Sequence, residues 1–499
     1  MIVTATLILA LQQTVSGPAP HIELSLAAPK KSVNLSYAAQ NSVPTLGDLP
    51  IIGKYFVKSA TSSAPSEPLP RRGSLGLELS GLGASEAAKY GLQPGQGATV
   101  SKVLPDLTGA KIGLKPNDFI LKMNGQPFEI PAIPKVMRTT VAGKTVKLDI
   151  VRDGKTMTIE GTLVEKPRDP GNENYSVQYS HVVSNGLRMR TIITTPKKPG
   201  KHPALYFIQG FSPNSYDYVI EGPPALNRIN CRLLSEFANN GYVTYRVEKI
   251  GVGDSEGGPF EDVDYTTELD IYRQGLKELK ALDTVDTKNI FIFGHSMGGA
   301  FGPMIASENP VRGIATFGTA AQTWFEYFMD INRDQSALGG APLEAIDDSA
   351  RITARAMSLV LNEGMSADDI KKSKPDLAPV VDSIFPNGRL MDKTLVYWRQ
   401  LNQVNFPKVW ASLDAHVLAV HGVSDFVSYA KCHKIIADVV NKKNPGFGKY
   451  VELPNSDHLM NGWATEAESH KNWPNGTWDH GFTKLLFDWT KEVMAKEPK

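Results

Sequence analysis

Cysteine is almost missing from this chain: Cys231 and Cys432 are the two in 499 residues. They have no metal-ligand spacing and form no disulfide framework, so a hydrophobic core rather than bridges or zinc must hold the fold. Whether the two pair with each other is open, since both are expected on helices that follow different strands. An excess of either charge is missing too. Lys and Arg number 53 against 52 Asp and Glu, a formal net charge of +1, and no basic run breaks the balance, which argues against a nucleic-acid surface. No His/Cys/Asp cluster calls for a metal, and no cofactor motif is present. The N-terminal apolar run, Ile2 to Leu11, is too short to span a bilayer as a helix.

That run fits the apolar region of a secretory signal, although no Lys or Arg precedes Lys30 and no clean cleavage motif follows. The expectation is a signal peptide over residues 1–17 and export to the periplasm or beyond. No cysteine lies near it to carry a lipoprotein anchor. Residues 18–69 read as a flexible leader, rich in Ser, Pro and Ala from Gln40 to Pro68. Inside it, Leu46 to Phe56 resembles a short signature of secretin pore proteins. With no secretin barrel in the chain, that match is given no function.

What is present is an ordinary globular composition, 41% hydrophobic, long enough for at least two domains. Its most informative stretch is Gly294-His-Ser-Met-Gly-Gly299, directly behind the apolar run Asn289 to Phe293. A buried strand entering a G-x-S-x-G turn before a helix is a nucleophile elbow: the sharp turn holds a serine hydroxyl proud of the backbone. Ser296 is the candidate nucleophile. Later strands supply the partners in order. His416 to Val420 leads into His421-Gly-Val-Ser-Asp425, and Lys449 to Leu453 leads into Pro454-Asn-Ser-Asp-His458. His458 is the candidate base and Asp425 the acid that orients it, both in loops where open α/β sheets place their chemistry. Asp457 competes for the acid role, but neighbouring loop residues rarely aim side chains at each other. Asp414 lies at the wrong end of its strand. An oxyanion needs preorganised donors, and the backbone N–H groups of Met297, after the nucleophile, and Phe211, in the loop after Pro203 to Ile208, are the candidates.

The remaining strands agree. Ser176 to Val183 and Leu187 to Ile193 form an opening antiparallel pair. Tyr242 to Val247 follows a helix over Leu226 to Asn239, and Arg312 to Phe317 follows the elbow helix. Strands alternating with helices imply an α/β fold with a mostly parallel, doubly covered sheet. The loop Lys249 to Gly257 has the glycines of a nucleotide site but neither the helix nor the lysine of a P-loop. It reads as structural, with Asp254 bonding its own backbone.

Residues 175–499 resemble the α/β-hydrolase superfamily. Gly294 to Gly299, with the preceding Gly251-Val-Gly-Asp-Ser-Glu-Gly257, resembles the branch holding monoglyceride lipases, serine aminopeptidases and related esterases. The resemblance implies a helical lid between the sixth and seventh strands, here about 319–413 and rich in aromatics such as Trp324, Tyr327, Tyr397 and Trp398. In the front third, Leu107 to Gly125 resembles the A-x-x-G-L-x-x-x-D-x-I-x-x-x-N-G signature of HtrA-type PDZ domains, through Ala110, Gly113, Leu114, Asp118, Ile120, Asn124 and Gly125. It implies a small β-rich domain over residues 70–165, with a possible peptide C-terminus as ligand and Gly73 to Gly76 as its carboxylate loop.

The expected function is hydrolysis of a carboxylic ester, in a small molecule or comparable substrate. Two alternatives stand beside it. One is a serine aminopeptidase acting on a short peptide, with Glu326 and Asp330 holding the substrate ammonium from one helix face. The other is an inactive hydrolase fold whose function lies in the PDZ-like module.

Overall fold

The computed structural model describes residues 66–130, 136, 140–217 and 226–497. The expected signal peptide, almost all of the leader and the secretin-like segment lie outside these residues.

An eight-stranded sheet organises the larger part of the chain. Its strands are β1 (Tyr175–Ser184), β2 (Leu187–Pro196), β3 (His202–Ile208), β4 (Val243–Val247), β5 (Val285–His295), β6 (Gly313–Phe317), β7 (His416–Gly422) and β8 (Gly448–Leu453). The spatial order is β8-β7-β6-β5-β3-β4-β2-β1. β2 pairs antiparallel with β1 and β4, and every other pairing is parallel. The central strands are apolar on both faces because helices cover both sides, the condition for a parallel sheet. Leu205 and Phe207 of β3, with Phe291 and Phe293 of β5, face one core beneath α1 (Leu226–Asn239) and the C-terminal helix Gly481–Met494. Tyr206 and Ile208, with Ile290 and Ile292, face the other core. That core lies beneath α2 (Tyr265–Ala281), α3 (Gly298–Glu308) and Ala430–Lys443. Alternate residues of a strand point to opposite faces, so each strand feeds both cores. Between β6 and β7 stands the expected helical insertion. It includes α4 (Trp324–Leu338), α5 (Leu343–Leu361) and α6 (Leu395–Asn402).

The front domain is a smaller antiparallel sheet of Leu77–Gly81, Ala98–Val103, Phe119–Met123, Thr145–Arg152 and Lys155–Thr162. Asn124 and Gly125, both at positive φ, turn Phe119–Met123 into its short partner Gln126–Pro127, the backbone a tight hairpin demands. Asp118 is buried and holds Arg152 at 2.6 and 2.8 Å, so the signature's acid is structural. The domain's first residues form two separate strands. Gly73–Ser74 pairs with Val164–Glu165, and the chain then turns at Gly76 (φ 66°) into the main sheet.

A buried ion cluster joins the two parts. Arg71, just ahead of Gly73, places its guanidinium 2.7 Å from Asp254 and 2.8 Å from Asp217, and donates to the carbonyls of Lys166 and Pro167. Arg190 of β2 reaches the same two carboxylates at 2.6 and 2.9 Å and also pairs with Glu248. The expectation that Asp254 bonds its own backbone is therefore corrected: its carboxylate accepts from Arg71, Arg190 and the backbone N–H of Arg72. Two arginines converging on one loop outweigh a local turn bond.

Removing one partner from a buried pair leaves an uncompensated charge, a loss of about 3–5 kcal/mol. Arg71→Met should lower the unfolding free energy by about that much in urea titrations of the full chain. A loss below about 1 kcal/mol would show that the cluster does not hold the joint.

Candidate active site

Strand β5 delivers Ser296 to a turn that only close packing permits. Ser296 sits at φ 54°, left-handed backbone that costs a serine about 1–3 kcal/mol. Its N–H donates to Phe317 O of β6 at 2.8 Å, which ties the turn to the neighbouring strand. Helix α3 begins at Gly298, where a Cβ would lie 2.1 Å from Ile208 O. Any side chain there would push the elbow away from β3.

The other two expected residues converge on this serine. His458 Nε2 lies 3.0 Å from Ser296 Oγ, and His458 Nδ1 lies 2.9 Å from Asp425 Oδ2. A carboxylate facing Nδ1 makes that nitrogen the N–H donor and leaves Nε2 to accept the serine proton. Asp425 is fully buried and also accepts from the Ser428 hydroxyl at 2.6 Å and from the N–H groups of Val427 and Ser428. Burial alone would raise its carboxyl, but the His458 imidazole and these donors hold it well below the usual carboxylate range.

Asp457 is elsewhere. It accepts the N–H groups of Leu459 and Asn461 at 2.8 Å and the Ser469 hydroxyl at 3.3 Å, shaping the loop that carries His458. Burial raises its carboxyl to about 6 against those two N–H groups. His295 donates from Nε2 to His458 O at 2.8 Å, a brace on the same loop, and burial pushes its ring down to about 3, so it stays neutral. His433 accepts the Thr319 N–H at 3.1 Å and donates to Tyr429 O, where the helical insertion leaves the sheet.

The loop after β3 lies against the elbow. A Cβ on Gly210 would stand 3.2 Å from Ser296 Cβ. Phe211 follows it, packed on Trp398 of α6 at 5.4 Å between ring centroids. Met297, the other expected donor, opens α3 and is buried.

Three residues at the site escaped sequence reasoning. Gly318, at φ 70° directly after β6, has no side chain because a Cβ there would lie 2.8 Å from His458 Nδ1 and 3.2 Å from Asp425 Oδ2. A glycine ending the strand beside the elbow strand was the available signal. His295 holds the His458 loop through a backbone carbonyl 163 residues away, a contact no local pattern signals. Lys249, within the loop read as structural, is fully buried and donates to Gly210 O and Phe211 O.

The two carboxylates expected to hold an ammonium have partners within the chain. Glu326 closes a capping box with Thr323 at the start of α4, and Asp330 binds Gln322 Nε2 at 2.6 Å and Lys431 Nζ at 2.5 Å. Both carboxylates thus accept from donors on or beside their own helix. Cys231 and Cys432 are both free thiols. Among the described residues no His/Cys/Asp/Glu group is arranged to hold a metal, and no helix is long and apolar enough to cross a membrane.

Strand order and elbow define the class: an α/β-hydrolase domain preceded by a PDZ domain. Family comparisons agree. Residues 66–151 match the PDZ domain model and residues 227–341 match the model for serine aminopeptidase, S33. A probable periplasmic serine endoprotease DegP-like of Pseudomonas putida (strain W619) is 39% identical over 99 residues, 20% of this chain and 21% of that protein. The periplasmic pH-dependent serine endoprotease DegQ of Escherichia coli (strain K12) is 38% identical over 94 residues, 19% of this chain and 21% of that one. The chain thus spans about a fifth of the length of these curated relatives. Among solved structures, Est1E from Butyrivibrio proteoclasticus aligns at 18% identity and TM-score 0.38, covering 64% of this chain and 99% of that one. An acylaminoacyl peptidase of Pyrococcus horikoshii aligns at 12% identity and TM-score 0.41, covering 76% and 52%. The fold assignment rests on the strand order and not on these two.

Asp425 and Asp457 are separable by pH. An acid whose folded pKa is raised stabilises the fold below its unfolded pKa, near 4, and loses that contribution as pH rises through the folded value. Asn at 457 removes this titration and keeps an oxygen for the two N–H groups. Asp457→Asn should therefore gain stability relative to the unsubstituted protein between about pH 4 and about pH 7 in thermal unfolding. It should keep kcat within a few-fold. A difference in stability that does not change with pH would refute the raised carboxyl.

Proposed function

We propose that the chain is a serine hydrolase that cleaves carboxylic esters through an acyl-enzyme. The observation that carries this is the continuous relay from Ser296 Oγ through His458 to Asp425, at 3.0 and 2.9 Å. Ser296 Oγ attacks the ester carbonyl carbon as His458 Nε2 takes its proton. The tetrahedral oxyanion is met by the N–H groups of Met297 and Phe211. Collapse breaks the bond to the alkoxy group, which leaves with the proton from His458. Water then repeats the sequence on the acyl-enzyme and releases the acid. Asp425 keeps Nδ1 protonated and stabilises the imidazolium throughout.

Ester is favoured over aminopeptidase cleavage by the local engagement of Glu326 and Asp330, which leaves the substrate ammonium without the holder expected for it. Trp324, Phe328 and Trp398 of the insertion are buried, pack on one another and, through Trp398, on Phe211 of the loop beside the nucleophile. In the same reading the helical insertion is the lid, the PDZ domain binds a peptide C-terminus, and the protein is exported, as the word periplasmic in the relatives' names suggests.

The full chain should turn over p-nitrophenyl acyl esters faster than aminoacyl p-nitroanilides. Ser296→Ala should lower kcat by about 10⁴-fold or more without loss of folding. Preferred cleavage of the anilides would make peptidase the better reading, and a wild-type rate in Ser296→Ala would remove the mechanism.

A further inference from the structure

We infer that Lys249 is a positioning residue for the oxyanion loop, and that Lys393 of the helical insertion acts on the same loop through a shared carboxylate, Glu268. The inference rests on the serine hydrolase reading above and deepens it.

Lys249 lies two residues beyond β4, with its side chain fully buried. An ammonium has three N–H donors, and each finds an acceptor here. They are Gly210 O at 2.6 Å, Phe211 O at 2.8 Å and Glu268 Oε1 at 2.8 Å. Two of the three are consecutive carbonyls of the loop that faces Ser296. A trans peptide is planar, with C=O and N–H pointing opposite ways. Fixing Gly210 O therefore fixes the direction of the Phe211 N–H, the proposed oxyanion donor, on the side away from the lysine. A cation on the carbonyl also polarises the peptide and strengthens its N–H as a donor. Positioning and polarisation come from a single side chain.

Glu268 is on α2, buried, and shared. Its other oxygen is 3.6 Å from Lys393 Nζ, which also donates to Phe260 O at 2.7 Å and Val263 O at 3.0 Å. Lys393 stands just ahead of α6, the helix whose Trp398 packs on Phe211. The insertion thus meets the loop twice, through the Phe211–Trp398 rings and through Lys393, Glu268 and Lys249. Burial lowers both lysines, Lys393 to about 8, with Glu268 opposing the shift in each. Two cations thus share one carboxylate behind the loop that faces Ser296. A packing role alone would need neither the charge nor both loop carbonyls.

The test compares the full chain with Lys249→Met, Lys249→Gln and Lys393→Met, using a p-nitrophenyl ester as substrate and an aryl trifluoromethyl ketone as a tetrahedral oxyanion mimic. Rates are corrected for the folded fraction by circular dichroism. Lys249→Met should lower kcat by about 10²-fold, the scale of losing one oxyanion donor, with KM within about threefold, and should weaken the ketone in proportion to the loss in kcat/KM. Lys393→Met should lower kcat by about fivefold to tenfold, since it acts only through Glu268. If Lys249→Met does not fold, Lys249→Gln, which keeps an N–H for one carbonyl, and Lys393→Met decide by the same parallel loss. Full kcat in the folded variants, or a loss of kcat with ketone affinity unchanged, overturns the inference while leaving the hydrolase reading intact if Ser296→Ala is dead. A wild-type chain with no ester or amide turnover overturns both.

Discussion

The structure turns on one strained residue, Ser296, held in left-handed backbone between β5 and α3. Little in a serine favours that conformation, so its surroundings must impose it. Phe317 O takes its N–H, and Gly298 lets α3 press against the carbonyl of Ile208. The two cores under the sheet fix β3, β5 and β6 so that these contacts cannot relax. A local cost of about 1–3 kcal/mol is small beside the burial of strands lined with Phe, Ile and Tyr on both faces. The sheet is therefore both a stabilising element and the frame that keeps a hydroxyl exposed to its base.

Buried charge at the site and at the joint between the domains falls into three clusters. Asp425 faces His458, Lys249 and Lys393 share Glu268, and Arg71 and Arg190 share Asp217 and Asp254. Buried ion pairs seldom stabilise a fold more than apolar groups of the same volume would. What they supply is direction, because each accepts only one arrangement of its donors. The three clusters fix, in turn, the imidazole tautomer, the carbonyls of the loop beside the nucleophile, and the seat of the PDZ domain on the hydrolase domain. The third shares the segment after β4 with the second: Glu248, paired with Arg190, is next in sequence to Lys249.

Strands β3, β5, β6 and β7 were legible in the sequence because they are short runs of apolar residues bounded by polar loops, and their order predicted where the acid and base should lie. The convergence of Ser296, Asp425 and His458 could be read from that order, since a doubly wound sheet brings the ends of parallel strands together whatever the sequence distance. The role of Asp254 could not be read, because its partner Arg71 is 183 residues away in another domain. Nor could the fates of Glu326 and Asp330, which depend on Thr323 before the helix and on Lys431 beyond the insertion. Local pattern reveals elements, but polar side chains find partners across the fold.

The central claim is that Ser296 is a nucleophile activated by His458. The most direct measurement is intact and peptide mass spectrometry of the full chain after reaction with a fluorophosphonate. The account requires one phosphonyl group per chain, located on Ser296, with labelling slowed by orders of magnitude when His458 is replaced by Ala. A folded chain that takes up no label, or takes it up on a different serine, would contradict it.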